Sequence, residues 1–223
     1  MSFDNGLLGI FHKGGIIMWP LLLTSIIAVG VAIERMVFIF VEKAHRDPKA
    51  IDAIFACAER NDIRGAIKSA QDSKDFIAKT LVYGLTHRDI SFANALLKAA
   101  NQELKRFSQG LPILDTIITL APLLGLLGTV TGMINAFGLL GGSQLDAPTA
   151  ITGGIAEALI ATAFGLGIAI VSLIPFNYLN ARLEEARHEI EDASNNLEIL
   201  LMKPQCKLLK EIERENTVTI SKA

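Results

Sequence analysis

Residues Thr116 to Leu140 read TIITLAPLLGLLGTVTGMINAFGLL, twenty-five positions without a formal charge. A helix of that length exceeds the roughly 30 Å hydrocarbon layer of a bilayer. A second such block, Ile151 to Tyr178, carries one ionisable carboxylate, Glu157. A third, Ile16 to Ile33, is broken by Glu34 and Arg35 and resumes from Met36 to Val41. Three membrane spans follow: 16–41, 113–140 and 151–178. Pro20, Pro122 and Pro175 lie inside them, which a membrane helix tolerates when neighbouring groups satisfy the freed carbonyls. The competing reading of the first block is a signal peptide. It is disfavoured because the run exceeds an ordinary signal core, continues past the charged pair and lacks an A-x-A cleavage pattern.

The rest of the composition agrees. Of 223 residues 51% are hydrophobic but only 6% aromatic, so the apolar excess is aliphatic, as expected for spans. Twenty-one Lys and Arg stand against twenty-three Asp and Glu, which leaves no basic surplus for a phosphate backbone, and no nucleic-acid partner is expected. Cys57 and Cys206 are far apart, and His12, His45, His87 and His188 do not cluster. Neither a disulfide framework nor a metal site is expected, and no cofactor.

Loop charges orient the spans. Lys43, Arg46, Lys49 and Arg60 follow the first span, Lys98, Lys105 and Arg106 precede the second, and Arg182 and Arg187 follow the third, whereas 141–150 has no Lys or Arg. The positive-inside rule therefore places 42–112 and 179–223 in the cytoplasm, and 1–15 and the 141–150 periplasmic loop outside. No stretch alternates as a strand does, so the fold class is an all-α membrane protein with a cytoplasmic helical domain and a long helical C-terminal tail. Asp47-Pro48, Asp62 and Ser91 are placed to start cytoplasmic helices, the last running toward the second span. Leu179, Leu183, Ala186, Ile190, Ala193, Leu197 and Leu200 recur at 4,3 spacing. That seam suits either the 42–112 helices of the same chain or another subunit.

Small residues mark the second and third spans: Ala121, Gly125, Gly128, Gly132 and Ala136 in one, Gly154, Ala158, Thr162, Gly165 and Ala169 in the other. They permit backbones to approach closely where lipid supplies no hydrophobic drive. One hairpin would use such stripes; two of them leave a surplus that points to a homo-oligomer. Glu157 is costly at mid-bilayer, by about 2.5–3.5 kcal/mol on insertion scales, and so should face a bundle interior or a wet cavity as part of a proton path. Interhelical glue, or a place near the outer interface, is the plainer alternative. Thr129 and Thr162 are weaker signals, since a threonine in a membrane helix most often bonds back to its own helix. No GxSxG, HExxH or GxxxxGK[ST] occurs, Gly165-Leu-Gly167 lacks the strand and third glycine of a dinucleotide loop, and no enzyme activity is expected.

The segments Ala121–Ile134 (APLLGLLGTVTGMI) and Gly154–Ile170 (GIAEALIATAFGLGIAI), with the Glu34-Arg35 pair, resemble the ExbB/TolQ branch of the MotA/TolQ/ExbB proton channels. The resemblance implies an inner-membrane homopentamer. Its second and third spans would line a pore around a dimer of single helices of the ExbD or TolR type, whose aspartate binds the proton. It also implies a TonB- or TolA-like transducer across the periplasm. The family's pore threonines fall on Thr129 and Thr162 and its third-helix glutamate on Glu157, so the resemblance implies a proton pathway there. A MotA-like stator would call for four spans. ExbB and TolQ both remain open, as does a structural scaffold in which Glu157 is packing glue.

Overall fold

The computed structural model describes residues 9, 11, 14–138 and 147–220, with backbone alone for 89–90, 147–151 and 203–220. Among these residues the regular elements are seven α-helices: α1 Met18–Ala44, α2 Pro48–Glu59, α3 Ile63–Ala70, α4 Phe76–Thr86, α5 Arg88–Ser108, α6 Leu111–Gly138 and α7 Ala147–Ile220. Most of the N-terminal segment 1–15 and residues 141–146 of the loop expected at 141–150 lie outside the described residues. Residues 147–150 of that loop open α7 instead. Three helices are long and apolar enough to cross a membrane: α1, α6 and, within α7, Thr152–Met202. At 74 residues α7 is roughly 110 Å long, several times the hydrocarbon thickness.

The chain divides into two compact units, Met1–Val37 with Gln109–Asn180, and Phe38–Ser108 with Ala181–Ala223. In the second unit the expected caps are present. Asp47 accepts the amide of Ala50 ahead of Pro48, and Asp62 accepts that of Gly65. Ser91 stands extended inside α5 and its Oγ accepts the amide of Asn94 at 3.4 Å, so the helix proper restarts there. The apolar faces of α2 to α5 meet in one core around Ile54, Phe76, Leu81, Leu85 and Leu96. Ala186, Ile190 and Leu197 of α7 belong to that same core, with Ala193 and Leu200 packed on it. Of the two readings open for the 4,3 seam, the structure therefore takes contact with the chain's own helices.

An aspartate unremarked in the sequence holds this unit together. Asp75 caps α4 by accepting the amide of Ile77 at 2.8 Å, and its other oxygen accepts the amide of Asp47 at 2.8 Å. Its side chain is 0% exposed and lies 3.4 Å from the Arg46 guanidinium, which also pairs with Glu189 of α7 and sits 5.0 Å over the Phe76 ring. A buried carboxylate with two amide donors and a cation beside it is a satisfied charge.

In the first unit Met18, Leu21 and Ala121 are buried together, with Ile17, Leu124, Ile160, Phe164 and Ile168 packed around them. Larger side chains on the outer faces, among them Leu123, Leu126, Val130, Ile134 and Phe137 of α6 and Leu159, Ile170 and Ile174 of α7, stay exposed. That inside-out distribution suits a lipid-facing surface.

Candidate functional site

The site is built on the contact between α6 and α7, which run antiparallel with backbones almost touching. A Cβ on Gly165 would stand 2.5 Å from the carbonyl oxygen of Ala121, and one on Gly125 would stand 3.0 Å from Thr162 Cα. Further along, a Cβ on Gly128 would lie 2.5 Å from Ala161 Cβ, and one on Gly132 would lie 3.0 Å from the Gly154 carbonyl and 3.1 Å from Ala158 Cβ. The two small-residue stripes thus face each other inside one chain. Lipid-buried helices gain by such approach because dispersion accumulates over many backbone atoms.

Close approach decides what each hydroxyl does. Thr162 Oγ1 lies 3.1 Å from the carbonyl oxygen of Gly125 on α6 and 3.2 Å from that of Ala158 on its own helix. Its single proton serves one of them at a time, or both weakly. Thr129 Oγ1 donates back to Leu126 at 2.7 Å and borders an apolar groove formed with Val130, Met133, Ile134 and Phe137 of the same helix. Ser172 also bonds its own helix, at Ile168, 2.7 Å away. No hydrogen bond joins Thr129, Glu157 and Thr162 to one another among the described residues.

Glu157 rests against the start of α1. Gly15, the residue whose carbonyl receives the Met18 amide in the first turn of α1, has φ +74°, and a Cβ built there would lie 2.7 Å from Glu157 Cδ and overlap its Oε1. The carboxyl is therefore at the level of the turn that precedes α1. Among the described residues the other glycine of positive φ is Gly110, which precedes α6 with φ +79°, and there a Cβ would meet Arg35 Cγ at 3.1 Å. Arg35, 8% exposed, pairs through its guanidinium with Glu34. Each left-handed glycine thus makes room for an ionisable side chain arriving from another helix. Sequence reasoning missed both seats, since a glycine before a helix signals a turn and nothing about a partner far along the chain.

Residues 69–192 match the model of the MotA/TolQ/ExbB proton channel family. The chain is 38% identical over 202 residues to a protein named biopolymer transport protein ExbB-like 1 from Synechocystis, covering 87% of this chain and 78% of that one. It is 41% identical over 92 residues to the Tol-Pal system protein TolQ of Pseudomonas aeruginosa, covering 41% and 40% of the two chains. Against the biopolymer transport protein ExbB of Neisseria gonorrhoeae the identity is 35% over 101 residues, 45% and 46% of the chains. The matched stretch takes in α6 and the membrane part of α7, where the hairpin and its hydroxyls lie. With three apolar helices and these likenesses, the chain is a membrane protein that belongs to the MotA/TolQ/ExbB proton channel family.

Proposed function

We propose that this chain is an ExbB-like subunit of a proton-driven motor in the bacterial inner membrane. With a single-helix, ExbD-like partner it converts the proton gradient into work on a TonB-like protein for outer-membrane transport. The observation that supports this most is the placing of a few hydroxyls and one carboxyl, Thr129, Thr162 and Glu157, on the otherwise uncharged stretches 116–138 of α6 and 152–178 of α7 in a proton-channel family member. Five copies surround a partner dimer, and contacts between copies fall to the exposed larger side chains of α6 and α7, since the glycines are spent within the hairpin.

The chemistry follows from desolvation. Protons enter from the periplasmic side, where the carboxyl of Glu157 sits at the beginning of the first span, and reach the partner's aspartate. Thr129 and Thr162 have donated their protons to backbone carbonyls, so what they present to that aspartate is chiefly acceptor lone pairs, which favour its protonated form. A neutral aspartate passes the apolar wall at far lower cost than a carboxylate, and the partner turns. Charges near the span ends support a cytoplasmic place for 42–112 and the tail after 179. The second reading, a TolQ-like subunit of an envelope system, uses the same device and is kept open by the likeness to TolQ.

Proton flux into vesicles holding this chain with its single-helix partner tests the reading. Glu157→Gln keeps size and hydrogen bonding but cannot ionise, and flux should fall while the oligomer stays intact on native mass spectrometry. Unchanged flux would leave Glu157 a packing residue and favour the scaffold alternative.

A further inference from the structure

We infer that Gly15 is a positioning residue for Glu157: the turn before α1 is a seat that holds this carboxyl at the mouth of the first span. The inference rests on the proposed role of Glu157 in proton movement and adds a residue to it.

Two independent features of position 15 meet there. Its φ of +74° is a backbone conformation that side chains other than glycine's seldom adopt, and the space a Cβ would fill is occupied by the Glu157 carboxyl, with Cδ 2.7 Å and Cγ 3.2 Å from that point. Gly14 beside it differs. A Cβ there would meet chiefly the side chain of Met18, at 2.5 Å from Cγ and 2.6 Å from Sδ, a flexible group that can turn aside, with Ile160 Cγ2 farther off at 3.2 Å. The turn itself is held by the Gly14 amide donating to the Phe11 carbonyl at 3.2 Å and by the Met18 amide donating to Gly15 at 3.2 Å. Residue 157 is flanked on α7 by Ala158, 3% exposed and pressed on Gly132 of α6, so the helix cannot roll to carry the carboxyl elsewhere. Position 15 therefore decides where the carboxyl ends. A proton relay is sensitive to displacements of about an ångström, so a methyl at 15 should disturb transfer without touching the pore.

Backbone strain at 15 and loss of the seat are separable. Gly15→Ala imposes both. Glu157→Asp withdraws the carboxyl by one methylene and leaves the backbone of residue 15 as it was. In vesicles with the single-helix partner, Gly15→Ala should lower proton flux by roughly tenfold in the wild-type background. Flux in Glu157→Asp alone should also fall, and adding Gly15→Ala to it should cost little more. Equal loss in both backgrounds would make the effect backbone strain and overturn the inference. So would wild-type flux in Gly15→Ala when Glu157→Gln abolishes it. Unchanged flux in Glu157→Gln would instead remove the underlying reading, and the inference with it. If Gly15→Ala does not assemble, Gly15→Asn, which tolerates positive φ better, is compared across the same two backgrounds, and the same equality would overturn the seat.

Discussion

Replacing Gly165 by alanine tests the close packing of α6 on α7 where backbone meets backbone. The new carbon would lie 2.5 Å from the Ala121 carbonyl oxygen and 3.1 Å from Gly125 Cα, both backbone atoms that no rotamer can move. Ordinary contact demands a retreat of roughly 0.5–1 Å between the helices. Such overpacking costs about 1–3 kcal/mol. The same retreat stretches the Thr162 to Gly125 hydrogen bond from 3.1 Å past the useful limit, and interhelical bonds of this kind contribute roughly 0.6–1.7 kcal/mol in membranes. Together about 2–5 kcal/mol of hairpin stability should disappear.

Gly167 supplies the control from two residues away. It borders the groove of about 410 Å³ between α1 and α7, lined by Ser25, Ala28, Phe164 and Val171, and a Cβ there would meet nothing within 4 Å. Gly167→Ala removes a flexible residue from a helix and should be neutral or stabilising by up to about 1 kcal/mol. Both variants, purified in the same detergent, would be unfolded by heat and followed by circular dichroism. Gly165→Ala should melt well below wild type and Gly167→Ala at or slightly above it. Equal stability of the two variants would refute the assigned helix register.

Thr162→Val should destabilise the hairpin by roughly 0.6–1.7 kcal/mol, while Thr129→Val, whose hydroxyl bonds its own helix, should leave the melting transition nearly unmoved; both should lower proton flux with the single-helix partner, and wild-type flux in either would return that threonine to an ordinary helix residue. Asp75→Ala leaves Arg46 without its buried partner and the Asp47 and Ile77 amides without acceptors, a loss of about 3–5 kcal/mol that should appear as fast hydrogen exchange across α2 and α4 of the full chain, with protection of α6 as the internal reference.

Features resting on local chemistry could be read from the residues alone. Asp47, Asp62 and Ser91 act as caps because a short polar side chain before an apolar-periodic run satisfies amides a turn away, whatever the rest of the chain does. The three apolar blocks likewise declare themselves by length. Asp75 did not, since Ser73, Lys74 and Asp75 form an ordinary polar turn, and its importance arises only when Arg46 and the Asp47 amide are brought to it from earlier in the chain. The 4,3 seam of α7 was visible as a seam and silent about its partner, because period encodes which face is apolar and says nothing of what covers it. Gly125, Gly128 and Gly132 show the same division: close approach was legible, and the facing residues Thr162, Ala161 and Ala158 were not.

Charge accounting within the first unit explains why Glu157 stands apart from the other ionisable groups in the apolar helices. Arg35 is nearly buried, but its aliphatic stem lies on Gly110 and its head pairs with Glu34, so that charge is answered inside the chain. Asp115 is exposed in the second turn of α6, where a span begins and a charge meets less apolar surroundings. Among the described residues of this unit Arg35 is the only Lys or Arg, and it is already engaged. Among the described residues of this unit Glu157 therefore has no ion-pair partner, and its carboxyl fills the space over Gly15.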